Sequence, residues 1–148
     1  MILVDLNILL YATDRRAAHH RAVLDWWQDA ITAGQPVGFA WLVLTGFLRL
    51  STNPRAFPSP LSVEAAISKI DAWLSLDNAR IVRERDDHWP ALRSLVLKAG
   101  TAGNLTSDAH LAALAVTHGA TLVSCDADFA RFEGLRWMNP LAPSRSRR

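Results

Sequence analysis

Cysteine is almost absent from this chain. Cys125 is the only one in 148 residues, so no intrachain disulfide can form. Long apolar runs are missing as well. The longest, around Phe39 to Leu48, is too short to span a bilayer and is interrupted by Thr45 and Gly46. The opening residues lack the basic start, apolar centre and small-residue cleavage site of a secretory signal. Together these absences predict a cytoplasmic protein with no membrane segment. Lysine is scarce too: of 16 basic residues, all but Lys69 and Lys98 are arginine. Arginine forks onto phosphates through two parallel hydrogen bonds, so the bias is compatible with nucleic-acid contact. It is equally compatible with arginine replacing lysine in a GC-rich genome, because the net charge is only +2. There is no internal repeat and no linker-like stretch.

What is present is an ordinary globular composition, 50% apolar and 20% charged. The length favours one domain with a real core, expected over residues 1–142. Residues 143–148, PSRSRR, are polar and basic and are expected to be a disordered tail. Short apolar runs predict buried strands at Ile2–Asp5, Val37–Ala40, Ala79–Arg83 and Thr121–Cys125, with Leu135–Met138 as a fifth. Helical spacing fills the gaps. Val23, Leu24, Trp27 and Ile31 share one face. Ser62 reads as the N-cap of a helix carrying Val63, Ala66, Ile67, Ile70, Trp73 and Leu74. Leu92, Leu95, Val96 and Ala99 repeat the pattern, and Gly100 ends it. Trp41–Leu50 is apolar nearly all round, which predicts a central buried helix. Asn53–Pro60, with its prolines, is a loop. Strands alternating with helices imply an α/β fold, a three-layer α/β/α sandwich around a mostly parallel sheet of four or five strands.

Four aspartates fall at the ends of these elements. Asp5 closes MILVD, Asp108 opens TSDAHLAALAVTHG, and Asp126 and Asp128 follow TLVSC. Ligands of open parallel sheets bind beyond the carboxyl ends of the strands. Asp5 and Asp126 end strands, so both lie at that edge. The helix that Asp108 opens runs antiparallel to the next strand, so its start lies there too. Carboxylates gathered this way repel unless a cation neutralises them. An all-oxygen site favours Mg²⁺ or Mn²⁺ over zinc. Such an ion lowers the pKa of bound water and neutralises a phosphate, which is phosphodiester-cutting chemistry. Each residue also has a purely structural role to play. Asp5 can stop a strand, Asp108 suits a helix dipole, and Asp126 and Asp128 can form a turn.

The segments around these acids resemble the PIN-domain ribonucleases, specifically the VapC-type toxins of prokaryotic toxin–antitoxin pairs. The likeness covers nearly the whole chain. MILVDLNILLYA resembles the family's opening strand, with a metal aspartate at Asp5 and a small polar residue, Asn7, two positions on. LTSDAHLAALAVTHGATLVSCDADFARFEGLRWMNP resembles its C-terminal half. There Asp108 matches the acid that opens a helix, and Asp126 matches the acid of a strand-end T/S-x-D motif that begins at Ser124. The resemblance implies a Mg²⁺- or Mn²⁺-dependent endoribonuclease, the toxin of a type II pair, leaving a 5′-phosphate and a 3′-hydroxyl. Asp5, Asp108 and Asp126 would be its catalytic and metal-binding residues, with Asp128 a further candidate. Asn7 and Ser124 would orient the carboxylates. It also implies a homodimer and a cognate antitoxin whose peptide tail occupies the acidic cleft. The RNA backbone would be held by arginines such as Arg15, Arg16 or Arg49.

One departure stands out. The family's usual glutamate in the helix after the second strand falls at Gly46. This keeps open an alternative, a catalytically weak PIN domain that binds RNA or a partner. Haloacid-dehalogenase phosphatases also begin with a strand and an aspartate. They need a second acid two residues later, where Asn7 stands. Other residues read as structural. His19 and His20 sit beside arginines at a helix start. His110, two residues past Asp108, points about 200° away from it on a helix and cannot easily share its metal. His118 closes that helix, Cys125 reads as a small hydrophobe, and Trp27 and Trp73 lie on core faces.

Overall fold

The computed structural model describes residues 1–142, so the expected tail at 143–148 lies outside the described residues. Five short strands form one sheet in the order β3-β2-β1-β4-β5. They are β1 (Ile2–Val4), β2 (Val37–Phe39), β3 (Ala79–Ile81), β4 (Thr121–Val123) and β5 (Trp137–Met138). All four pairings are parallel, with Leu3 opposite Gly38 on one side and Leu122 on the other. The three central strands are buried almost throughout, as apolar runs covered on both faces must be.

Six α-helices cover the sheet: α1 (Leu6–Thr13), α2 (His20–Thr32), α3 (Trp41–Ser51), α4 (Val63–Leu74), α5 (His88–Ala99) and α6 (Thr106–Thr117). The connections β1-to-β2 and β2-to-β3 step one way across the sheet, and β3-to-β4 steps back past β1. Right-handed crossovers therefore put α1–α4 on one face and α5–α6 on the other. The neighbours agree: α1 packs on α2 and α3, α3 on α4, and α5 on α6. This is the expected three-layer sandwich with its parallel sheet. Local signals hold as well. The Ser62 hydroxyl accepts from the Ala65 N–H, and Gly100 adopts φ +72 to end α5 in the left-handed region. Trp27 meets both Phe39 and Trp73 edge-on inside the core.

Two expectations fail in detail. Trp41–Leu50 does form a helix, but not a buried one. Trp41 and Leu42 are 47% and 41% exposed, while Val43, Leu44, Gly46 and Phe47 turn inward. The central buried helix is α6, where Ala109 and Leu111–Ala115 are all buried. Its small alanines let it lie close to the sheet, and small size is not visible in a hydrophobic pattern. Second, Leu6–Thr13 is a helix that sequence spacing did not mark. LNILLYAT has too few polar residues to display a period.

Gly38 sits where β2 passes between β1 and β3. A methyl there would lie 2.7 Å from Val82 Cγ2 and 3.1 Å from the Ile2 carbonyl oxygen. Gly38→Ala is accordingly expected to cost about 1–3 kcal/mol, read as a lower urea midpoint with unchanged m-value. A variant that unfolds at the parental midpoint would show that this layer yields freely.

Candidate active site

The sheet changes winding direction between β1 and β4, and the site lies beyond the carboxyl ends of those two strands. Asp5 follows β1 and caps α1. Its backbone N–H continues the sheet to the Val123 carbonyl, and its Oδ1 accepts from the Leu6 N–H at 2.7 Å. Oδ2 accepts from the Ser124 hydroxyl at 2.7 Å and from the Asn7 amide at 2.8 Å. Three of about four acceptor positions on this carboxylate are thus used, leaving one open on Oδ1.

Ser124 is itself saturated, and both amide protons of Asn7 are committed. The Ser124 hydroxyl donates once, to Asp5, and accepts from the Asn7 amide at 2.9 Å and the Asp126 N–H at 3.0 Å. Asn7 Oδ1 accepts from the Cys125 N–H at 3.1 Å. Ser124 is fully buried, which shields the bonds at its hydroxyl from bulk water. The Asp5 carboxylate is therefore held in one orientation before anything binds. The Asp126 carboxylate accepts from the Asp128 N–H at 2.8 Å and caps a 3₁₀ turn over Ala127–Arg131.

Asp108 lies in the first turn of α6, and the start of that helix reaches the same edge as Asp5. The two carboxylates line one cleft of about 150 Å³, together with Gly46, Arg49 and Ser107. Burial raises the Asp108 carboxyl to about 6, and the carboxylates of Asp5, Asp126 and Asp128 add to the shift. Burial also raises Asp5, against the pull of Ser124 and Leu6, and Asp126 adds to the rise. Asp126 and Asp128 are exposed and do not line the cleft, but their charge reaches it. Among the described residues no three His, Cys, Asp or Glu side chains form a preformed metal cage. Mg²⁺ does not need one, since it keeps several waters and takes one or two carboxylates. An open acceptor on Asp5, a half-buried Asp108 among like charges and an all-oxygen donor set fit such an ion.

The remaining sequence candidates sort cleanly. Arg49 lines the acidic cleft, whereas Arg15 and Arg16 line a different one beside Lys69. His110 turns away from Asp108 toward Glu84 at 3.1 Å and His88 at 3.0 Å. His118 Nε2 meets the Arg83 carbonyl, and His20 Nδ1 the Tyr11 carbonyl. Burial pushes the Cys125 thiol up to about 11, with Asp5 adding to the rise, so it stays a neutral thiol at neutral pH. Gly46 lies in the cleft, and a Cβ there would stand 3.0 Å from Leu6 Cδ2. Ser107 was not anticipated, because a hydroxyl at a helix start has no distinguishing pattern.

Comparison with known proteins agrees with this architecture. A PIN domain family model matches residues 2–135. The chain is 46% identical to ribonuclease VapC37 of Mycobacterium tuberculosis over 142 residues, covering 96% of this chain and 99% of that protein. It is 38% identical to ribonuclease VapC33 of the same species, covering 95% and 99%. Among solved structures it resembles VapBC2 of Rickettsia felis bound to a promoter DNA fragment, with a TM-score of 0.69 at 20% identity and coverage of 94% and 98%. The chain belongs to the PIN-domain family, among its VapC ribonucleases.

The raised carboxyls have a consequence for stability. Between the ordinary value of 3.8 and about 6, folded Asp108 holds a proton that the unfolded chain has released. The metal-free fold thus loses stability as pH rises through that window. Asp108→Asn, measured in chelator, is expected to melt a few degrees above the parent at pH 7 and no higher at pH 4. Each kcal/mol is worth about 2–4 °C in a chain of this size. Equal offsets at both pH values would show that burial and the neighbouring carboxylates do not raise the Asp108 carboxyl.

Proposed function

We propose that this chain is a metal-dependent endoribonuclease and the toxin of a type II toxin–antitoxin pair, acting in the cytoplasm through residues 1–142 as one unit. The observation that carries the reading is the shared cleft. Asp5 and Asp108 come from segments far apart in the chain and line one cleft, where a cation would relieve their repulsion. Relatives named as ribonucleases support the activity, and the toxin–antitoxin complexes that share the fold support the partner.

In this reading Asp5 and Asp108 hold Mg²⁺ or Mn²⁺, and Asp126 supports the site through water or a second ion. Such an ion supplies a more acidic water and neutralises charge on the scissile phosphate. Ser124 and Asn7 keep the Asp5 carboxylate aimed, as groups behind metal ligands do. Arg49 lines the cleft and faces the RNA backbone there. In-line attack by water releases a 5′-phosphate and a 3′-hydroxyl, and no side chain acts as nucleophile. A homodimer and a cognate antitoxin that blocks the acidic cleft complete the reading. A second reading, an RNA- or partner-binding module with little turnover, draws on Gly46, which leaves the cleft without the family's usual glutamate.

Purified protein is expected to cut RNA with Mg²⁺ or Mn²⁺ and to stop in excess EDTA, and Asp5→Ala and Asp108→Ala are each expected to abolish cleavage. Undiminished cutting in EDTA would sink the mechanism. Calorimetry that detects no millimolar binding of either ion would favour the second reading. Ser124→Ala leaves the Asn7 amide and the Asp126 N–H short of an acceptor. It is expected to reduce metal affinity or activity about 10–100-fold. Ser124→Thr, which keeps the hydroxyl, should retain most of both; equal loss in the two variants would rule out the orienting role.

A further inference from the structure

The larger cleft near α1 is basic. About 380 Å³ in volume, it is lined by Arg15, Arg16 and Lys69, by the hydroxyl residues Thr13 and Ser59, and by Phe57 at its apolar base. Its walls are fixed by backbone geometry. Asp14 closes α1, and its Oδ1 accepts from the Arg16 N–H at 3.0 Å, which turns the chain sharply. Across the cleft, Asn53 accepts from the N–H groups of Ala56 and Phe57, and the Leu61 N–H returns to the Ser51 carbonyl at 2.8 Å. Buried Phe57 pins that loop. The ion pairs among the described residues join Arg21 to Asp25, Lys98 to Glu133 and His110 to Glu84, and none of them uses the three cations of this cleft. Asp14, the one carboxylate lining it, points an oxygen at a backbone N–H.

The acidic cleft makes this concentration of charge useful. Four carboxylates act on Asp108's surroundings, counting its own, and a polyanionic strand gains nothing from them. Arg49 is the single cation among the residues lining that cleft, so further affinity for RNA has to come from cations set to one side. Helix α1 links the two places as one rod, capped by Asp5 at its start and Asp14 at its end. From Asp5 to Asp14 it rises about 14 Å at about 1.5 Å per residue. A short stretch of single strand covers that distance.

We propose that Arg15, Arg16 and Lys69 form a phosphodiester-binding subsite that anchors single-stranded RNA one helix length from the acids. The inference rests on the ribonuclease reading above and adds a subsite to it. Binding of a labelled single-stranded RNA, followed by fluorescence anisotropy in EDTA to prevent cutting, tests it. The variant Arg15→Gln/Arg16→Gln/Lys69→Gln is expected to bind about tenfold or more weakly. Its slope of log affinity against log salt should be shallower by about 2, since each phosphate contact on a single strand contributes about 0.7. Arg21→Gln, which removes a cation already paired with Asp25, should bind within about twofold of the parent. With Mg²⁺ present, the triple variant should show a raised KM with little change in kcat. A triple variant that binds with parental affinity and slope overturns the subsite and leaves the ribonuclease reading intact. A parent that neither binds nor cuts RNA overturns both. Parental RNA binding combined with lost binding of polyglutamate assigns the cleft to an acidic protein segment and also overturns the proposal. Melting curves for each variant verify that these surface changes leave the fold in place.

Discussion

A single half-buried carboxylate organises the functional edge of this molecule. Asp5 is kept partly out of water at the junction of β1 and β4, and its oxygens are held by Leu6, Asn7 and Ser124. Burying such a group costs free energy unless its lone pairs are filled. The structure fills most of them with donors that are themselves fully engaged. The same bonds tie β1 to the segment after β4 and fix the start of α1, so the position of the carboxylate and the closure of the sheet are one problem with one solution.

The remaining acids are placed relative to that anchor with progressively less constraint. Asp108 is half-buried at a helix start, and its high proton affinity records both its burial and its neighbours. Asp126 is exposed and held by its own turn. Asp5 is held by three hydrogen bonds, Asp108 is half-buried among like charges and Asp126 is fixed by its turn, an arrangement that suits a hydrated ion better than a dry one. PIN-domain membership fits this geometry, since the fold delivers these positions from segments far apart in the chain.

Much of this was legible in the sequence because topology alone carries it. Short apolar runs marked all five strands, and the rule for parallel sheets brought Asp5, Asp108 and Asp126 to one edge without any side-chain detail. The Ser62 cap and the Gly100 terminus followed from local chemistry that tertiary contacts do not overrule. What stayed hidden depends on three-dimensional company. The apolar string LNILLYAT fits a strand or a helix equally, and only its neighbours α2 and α3 decide. The outward turn of Trp41 and Leu42 depends on which side of α3 meets the rest of the fold. Arg15 and Arg16 follow the first strand closely in sequence, yet a helix carries them into a cleft of their own.

Gly46 has a consequence for how the family can vary. A side chain at that position would start 3.0 Å from the tip of Leu6, the residue whose backbone N–H steadies Asp5. The leucine fills ground next to where an acid would stand, so the two positions form a coupled pair. The atoms met there all belong to the Leu6 side chain, so a small rotation of that leucine is enough to admit a larger residue at 46. The depth of the cleft at this point is thus set by the rotamer of Leu6 and not by the backbone.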